Sequence, residues 1–135
     1  MALNPKLSVA SCNLALNAAL DVLNSGFLDI YDSTGTGQPA SPDTAVTTQV
    51  KLARLNLNAT AFAAASGGSK VANAISATTG IIGGTATWYR LVTSGGTAVA
   101  DGSVGTATSN LVLNATAIVT GAAVTCTAMT YSMAQ

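Results

Sequence analysis

Short segments in which apolar and polar residues alternate recur along most of this chain, about ten residues apart. Alternation with a period of two predicts strands, and the Gly, Ser, Thr and Asn residues between the segments are typical of turns. The predicted strands are residues 27–31, 53–58, 71–75, 86–92, 97–100, 110–114 and 122–133. The fold class is therefore mainly β, and an antiparallel β-sandwich or barrel of about seven strands is favoured.

The clearest two-strand unit lies within residues 84–105 and contains the only tryptophan, Trp88. Ser94-Gly95-Gly96 supplies the backbone freedom that a tight reversal needs. Two interpretations of Trp88-Tyr89-Arg90 are open. The three residues form a stacking platform for a ligand, or Trp88 is a core aromatic next to an arginine at the surface, and the second is favoured. In the last strand the apolar phase switches near residues 127–129, which predicts either a β-bulge or a strand that changes face partway.

Residues 8–25 predict one amphipathic helix at the N-terminus, with Ser8 or Ser11 as its N-cap and Ser25-Gly26 at its end. Apolar residues recur at spacings of three and four, while asparagines and Asp21 line another side. The apolar positions are Cys12, Ala15, Leu16, Ala19, Leu20 and Leu23, and the polar ones are Asn13, Asn17, Asp21 and Asn24. Leu14, Ala18 and Val22 widen the apolar arc, which indicates either a second contact surface or a helix sunk deeply against its own sheet.

A chain of 135 residues is expected to form a single β-rich domain. Its parts are an N-terminal tail (1–7), the helix (8–25) and the β-domain (27–133), with a Pro- and Gly-containing loop at 33–42. Cys12 and Cys126 either form a disulfide across the core or remain reduced and buried. The second is favoured, because no export signal is recognisable in the sequence.

Charge is scarce in this sequence. Five Lys or Arg residues balance five Asp residues, and only 7% of the chain is charged against about 25% in typical domains. The cations are scattered singly, which argues against nucleic acid as a partner, and no apolar run is long enough to predict a membrane span. A surface of Ala, Thr, Ser, Gly and Asn suits a protein packed against copies of itself or a partner. A small secreted β-domain is the alternative with the same composition.

The sequence offers no catalytic constellation. It contains no histidine and no glutamate, so a Ser-His-Asp triad is impossible and paired-carboxylate chemistry would have to use aspartates. Asp29 and Asp32 are close enough to share a calcium ion, but a strand-end charge and a turn residue are the favoured interpretation. The Gly-rich loops lack the spacing of phosphate-binding motifs. We therefore expect no enzyme, no catalytic, cofactor-binding or metal residues, and no cofactor.

A set of segments, in order along the chain and covering most of it, carries a family resemblance. They are NAALDVLNSG (17–26), LDIYD (28–32), AFAAAS (61–66), ANAI (72–75), TATWYRL (85–91), DGSVGT (101–106) and LVLN (111–114). They resemble a family of small, largely uncharacterised structural proteins of tailed bacteriophages, often encoded close to the major capsid protein. The loop that often reads Gly-Thr-Gln-Pro in that family has an additional glycine here, in GTGQP at 35–39.

This resemblance implies a virion structural protein, in particular a capsid decoration or cement protein. Its expected partners are the major capsid protein and further copies of itself, and its expected location is the capsid exterior after synthesis in the host cytoplasm. The tail (1–7) and the loop (33–42), taken as flexible, are the expected capsid contacts. The alternative is a tail or head-fibre binding module that recognises a glycan on the host surface.

Overall fold

The computed structural model describes residues 5–33 and 36–133 and consists of one helix and eleven short strands in that part of the chain. The α-helix α1 (Val9–Leu20) continues into a 3-10 turn at Asp21–Leu23. The strands are β1 (Phe27–Tyr31), β2 (Lys51–Asn56), β3 (Ser69–Val71), β4 (Thr78–Thr79), β5 (Gly84–Thr85), β6 (Trp88–Val92), β7 (Ala98–Gly105), β8 (Leu111–Leu113), β9 (Ala117–Ile118), β10 (Ala123–Val124) and β11 (Cys126–Ser132). The predicted class, mainly β with one N-terminal helix, is confirmed.

Seven of these strands form one curled sheet in the order β2-β1-β6-β7-β8-β11-β3, which has the shape of a half-barrel. Its neighbouring pairs are antiparallel except β7 and β8, which run parallel, so the sheet is mixed. Two small two-stranded sheets, β4 with β10 and β5 with β9, complete the strand structure of the described residues. Residues 106–110 connect these two strands without a hairpin turn. As a result β8 starts beside Val104, near the end of β7, and runs in the same direction as β7.

The central hairpin has the predicted arrangement, since β6 pairs antiparallel with β7 and Gly96 at the reversal has φ 94°. The returning strand is longer than predicted and reaches Gly105. The predicted bulge is also confirmed, because the register of β11 against β8 shifts between Cys126 and Ala128. Of the predicted strand 71–75 only residue 71 lies in a named strand, with Ala72 forming an isolated bridge to Phe62.

The core lies between the helix and one face of the sheet. The predicted cap is present, since the Ser8 side chain accepts a hydrogen bond from the Ser11 backbone N–H. The predicted stripe buries Leu16, Leu20 and Leu23 against alternate residues of the strands. Those strand residues include Leu28, Ile30, Leu52, Leu55, Tyr89 and Leu91.

The asparagine side of the helix lies partly against the protein, although Asp21 and Asn24 remain exposed. The side-chain oxygens of Asn13, Asn17 and Asn24 accept backbone N–H bonds from residues 68, 65 and 61 at 2.9, 3.0 and 2.9 Å. Lys70, only 1% exposed, adds bonds from its Nζ to Asn17 (2.9 Å) and Asp21 (2.5 Å). These side chains therefore satisfy the backbone of an irregular segment, a role that helical periodicity alone does not reveal.

One buried polar group in the core has no hydrogen-bond partner among the described residues, namely the hydroxyl of Tyr89. Burial raises the pKa of this phenol, and its ring occupies the space where a side chain on Gly102 would otherwise lie. Tyr89→Phe should leave stability unchanged or raise it by about 1 kcal/mol, because an unpaired buried hydroxyl costs free energy. Urea unfolding measures this, and a loss above about 1 kcal/mol would reveal a partner for the hydroxyl.

Candidate functional site

A cleft of about 480 Å³ lies on the sheet face opposite the helix. Alternation along β1 turns Leu28 and Ile30 toward the core and Asp29 and Tyr31 toward this cleft. One wall comes from the loop between β1 and β2, and the other comes from the β6–β7 turn. We call it the charged cleft, and its lining is Asp29, Tyr31, Pro42, Asp43, Ala45, Val46, Lys51, Arg54, Arg90, Val92, Gly96, Thr97 and Ala98.

A row of alternating charges crosses four neighbouring strands beside and beneath this cleft. The strand register places Arg54 opposite Asp29, Asp29 opposite Arg90, and Arg90 opposite Asp101. Arg54 donates to Asp29 through Nε (2.6 Å) and Nη2 (2.8 Å), and Arg90 donates to Asp101 through the same atoms at 2.7 and 2.8 Å. Opposite charges directly across a sheet stabilise its pairing, and bidentate Arg–carboxylate pairs are the strongest of these contacts.

Arg90 also fixes the loop that forms one wall. Its guanidinium donates from Nη1 to the Thr44 carbonyl at 2.8 Å and from Nη2 to the Ser41 carbonyl at 3.2 Å. Its hydrogen bond to Asp101 raises the pKa of Arg90. Contrary to the expected arginine at the surface, the side chain is only 5% exposed. This part of the loop, expected to be flexible, is therefore tied to the sheet, while residues 34 and 35 lie outside the described residues.

The opposite side of the charged cleft is more open. Lys51 and Arg54 are 34% and 39% exposed and share Asp29, with Lys51 Nζ at 3.0 Å from its carboxylate. Tyr31 stacks on Trp88 at 4.4 Å between ring centroids, and burial together with the charge of Asp29 raises the pKa of Tyr31 to about 12. The phenol is therefore neutral at physiological pH. Lys51 and the Nη1 group of Arg54 retain N–H donors that none of the described residues uses.

The geometry suits structural pairing and recognition of an acceptor group rather than proton transfer. Asp29 and Asp101 are both occupied by arginines, and the bonds from Arg54 and Lys51 leave Asp29 poorly placed to share a cation with Asp32. Within residues 5–33 and 36–133 no group of three potential metal-ligating side chains is found. The favoured interpretation of Trp88 is supported, since that side chain is 1% exposed and forms no exposed platform.

Sequence reasoning proposed no site residues and therefore missed the charged cleft. The alternation in Phe27–Tyr31 and Trp88–Val92 was a usable signal, because it puts Asp29 and Arg90 on definite strand faces. The register that joins them to Arg54 and Asp101 depends on pairings between distant strands. That information is absent from local periodicity.

Two apolar patches are exposed elsewhere on the surface. The first, the helix patch, comprises Leu7, Val9, Leu14 and Val22, which are 53%, 43%, 71% and 54% exposed. The second, the end patch, comprises Ile81, Ile82 and Val119 at 57%, 48% and 61%. Backbone bonds tie the helix end to residues 57 and 58 beyond the end of β2, whereas the Ile81 N–H bonds to the Leu52 carbonyl near its start. The end patch thus lies near the start of β2, whereas Val22, at the C-terminal end of the helix patch, lies near the end of that strand.

Both cysteines are free thiols. Cys12 is fully buried in the helix stripe, and Cys126 is half-buried in β11. Burial raises the pKa of Cys126 to about 11, so its thiolate population at neutral pH is very small. This geometry agrees with the favoured interpretation of both residues as small apolar packing groups.

Across the described parts of the chain, no helix is both long enough and apolar enough to cross a membrane. Comparison with known proteins gives no further guidance, since no family model, no curated protein and no solved structure matches this chain.

Proposed function

We propose that this protein is a virion structural component of a tailed bacteriophage, which coats the capsid exterior as a decoration protein and reinforces the shell. Its partners in this proposal are the major capsid protein and further copies of itself. Two kinds of support are combined here, namely the segment resemblance described above and the properties of the surface of the folded domain. No catalytic role is assigned to any residue.

The observation that carries the proposal is the pair of exposed apolar patches. Scattered exposed apolar residues are ordinary, but neighbouring aliphatic side chains around 50–70% exposed, such as Leu14 and Val119, leave apolar area in contact with water. A protein within a shell must contact more than one neighbour, and two separate apolar patches meet that requirement. We assign the end patch to the capsid protein.

The distribution of charge supports the same function. Arg54 pairs with Asp29, Arg90 pairs with Asp101, and Lys70 pairs with Asp21. Most of the few charged side chains therefore form ion pairs within the fold. The remaining surface is rich in Ala, Thr and Ser. Small side chains lose little rotamer entropy when an interface forms, so many modest contacts repeated over a lattice can add to a large stabilisation.

Rebinding to particles stripped of the protein tests this function. Labelled protein should bind expanded capsids at on the order of hundreds of copies and raise their resistance to heat, because repeated contacts act together. The double variant Ile82→Asn/Val119→Asn should bind more weakly, since it makes the end patch polar. Val71→Asn is the matched control, because Val71 is 54% exposed but lies outside both patches.

Particle imaging can contradict the proposed function. Density for the protein confined to the tail, or a copy number of about a few dozen, would exclude decoration. Equal binding by the end-patch variant and the Val71→Asn control would remove the end patch as the capsid contact.

A second candidate function is favoured by the charged cleft. A tail or head-fibre module that recognises an acidic host glycan needs cationic donors at an open cleft, and the partly exposed Lys51 and Arg54 offer them. NMR titration with sialic-acid-containing oligosaccharides should then shift the resonances of these residues, and Arg54→Gln should abolish the shift. Absence of any shift at millimolar oligosaccharide, corresponding to a binding free energy weaker than about −4 kcal/mol, rejects this function.

A further inference from the structure

Besides its buried core stripe, the helix has a second set of apolar side chains that is exposed to solvent, which an ordinary amphipathic surface helix lacks. Asn13, Asn17 and Asn24 bond inward to the segment 61–68, and the core stripe accounts for a second side. The residues that remain outside include a row four apart, Ala10, Leu14 and Ala18 of α1 and Val22 of the 3-10 turn that continues it, all of them exposed. No packing inside the described fold uses this row.

The row alternates small and large side chains and bears no charge. Residues four apart on a helix are neighbours on one face, about 6 Å apart along the axis. A two-fold axis placed midway between Leu14 and Ala18 relates the row of one copy to the row of a second copy that runs in the opposite direction. Leu14 then faces Ala18 of a second copy, and Ala10 faces Val22 of that copy.

We propose that this row is an isologous contact between two copies of this chain, with their helices antiparallel and Leu14 of each copy packed over Ala18 of the other. In this arrangement every large side chain meets a small one. A parallel pair would instead place Leu14 against Leu14 and leave gaps at the alanines. Isologous contacts with a two-fold axis are the commonest type in protein dimers.

Charge does not oppose this contact, because residues 7–20 contain no ionisable group except the buried Cys12 thiol. Asp21 follows the helix but is paired with Lys70 of its own chain. An apolar, uncharged row is matched best by another such row. The second copy supplies one in which small side chains face the large ones of the first copy. The contact concerns the protein alone and does not depend on the virion assignment.

The size of the strip sets the strength of the contact. Residues 9–22 span about 21 Å along the axis, and with a helix width of about 10 Å each copy contributes a footprint of roughly 200 Å². Stable interfaces bury about 1,200–2,000 Å² in total, so this pair is a weak dimer that forms at high concentration. Neighbouring copies held on a lattice would be at such effective concentrations.

Disulfide trapping tests the register. Leu14→Cys and Ala18→Cys, each made in a Cys12→Ala/Cys126→Ala background and carrying tags of different mass, are mixed and oxidised. The mixed disulfide should exceed either homodimer by about tenfold, because identical positions lie about 6 Å further apart along the axis and exceed the ~7 Å Cα separation that a disulfide tolerates. Ile81→Cys, in the same background and also exposed, reports random collision.

Sedimentation of the protein without introduced cysteines gives an independent measurement. Dimer should accumulate as concentration rises toward millimolar, and Leu14→Asn should raise the Kd by about tenfold or more, because each dimer buries Leu14 twice. Val71→Asn should leave the Kd unchanged. Mixed disulfides no more abundant than homodimers, a dominant Leu14→Cys homodimer, or a monomer at every concentration would each overturn the antiparallel contact.

Discussion

Trp88→Ala should lower the free energy of unfolding by about 3–5 kcal/mol, the cost of removing a large buried aromatic side chain. The indole is 1% exposed, stacks on Tyr31 with an interplanar angle of 12°, and donates from Nε1 to the Asp32 carbonyl at 3.1 Å. Alanine removes the stacking, opens a cavity and leaves that carbonyl without its indole donor. Urea unfolding followed by circular dichroism measures the loss.

Trp88→Phe separates the contributions. It keeps a ring against Tyr31 but removes the N–H donor and part of the volume, so its cost should be clearly smaller than that of the alanine variant. The fluorescence of the native protein provides a second check. Emission typical of a fully hydrated indole, or a cost below about 1 kcal/mol for Trp88→Ala, would contradict the buried position.

Much of the fold follows from local patterns. Alternation placed β1 and β6, the Gly-rich reversal placed the hairpin turn, and a phase switch in the last strand located the bulge between Cys126 and Ala128. These features depend on a few adjacent residues, which is why sequence reasoning finds them. The parallel pairing of β7 with β8 depends instead on contacts between separate segments and could not be read locally.

The polar contacts were harder to anticipate. Asn13 and Asn17 have the spacing of a solvated helix side, yet they serve as hydrogen-bond partners for an irregular segment some fifty residues later (|i−j| of 55 and 48). Arg90 looks like a surface residue next to a core aromatic, because its partner Asp101 becomes adjacent only when β7 pairs with β6. In both cases a distant segment supplies the partner, so the local pattern indicates a polar residue without indicating where it points.

Arg90→Met should destabilise the protein by about 3–5 kcal/mol, because it leaves a buried carboxylate without its cation. The side chain of Asp101 is only 4% exposed and receives two hydrogen bonds from this guanidinium. Methionine retains much of the volume of the aliphatic stem, so the loss reports mainly the missing charge and donors. The carbonyls of Ser41 and Thr44 lose the guanidinium of Arg90 as a donor, so hydrogen exchange of amides in residues 41–46 should accelerate.

Arg54→Met is the matched control for this prediction, since it removes an equivalent bidentate arginine at the neighbouring position of the same row. Its cost should be smaller, because Arg54 is 39% exposed and Asp29 keeps Lys51 at 3.0 Å as a second cation. The double variant Arg90→Met/Asp101→Leu should recover most of the stability lost by Arg90→Met, because it no longer contains an unpaired buried charge. Equal losses for Arg90→Met and Arg54→Met, or no recovery in the double variant, would show that the loss does not come from leaving the buried Asp101 carboxylate unpaired.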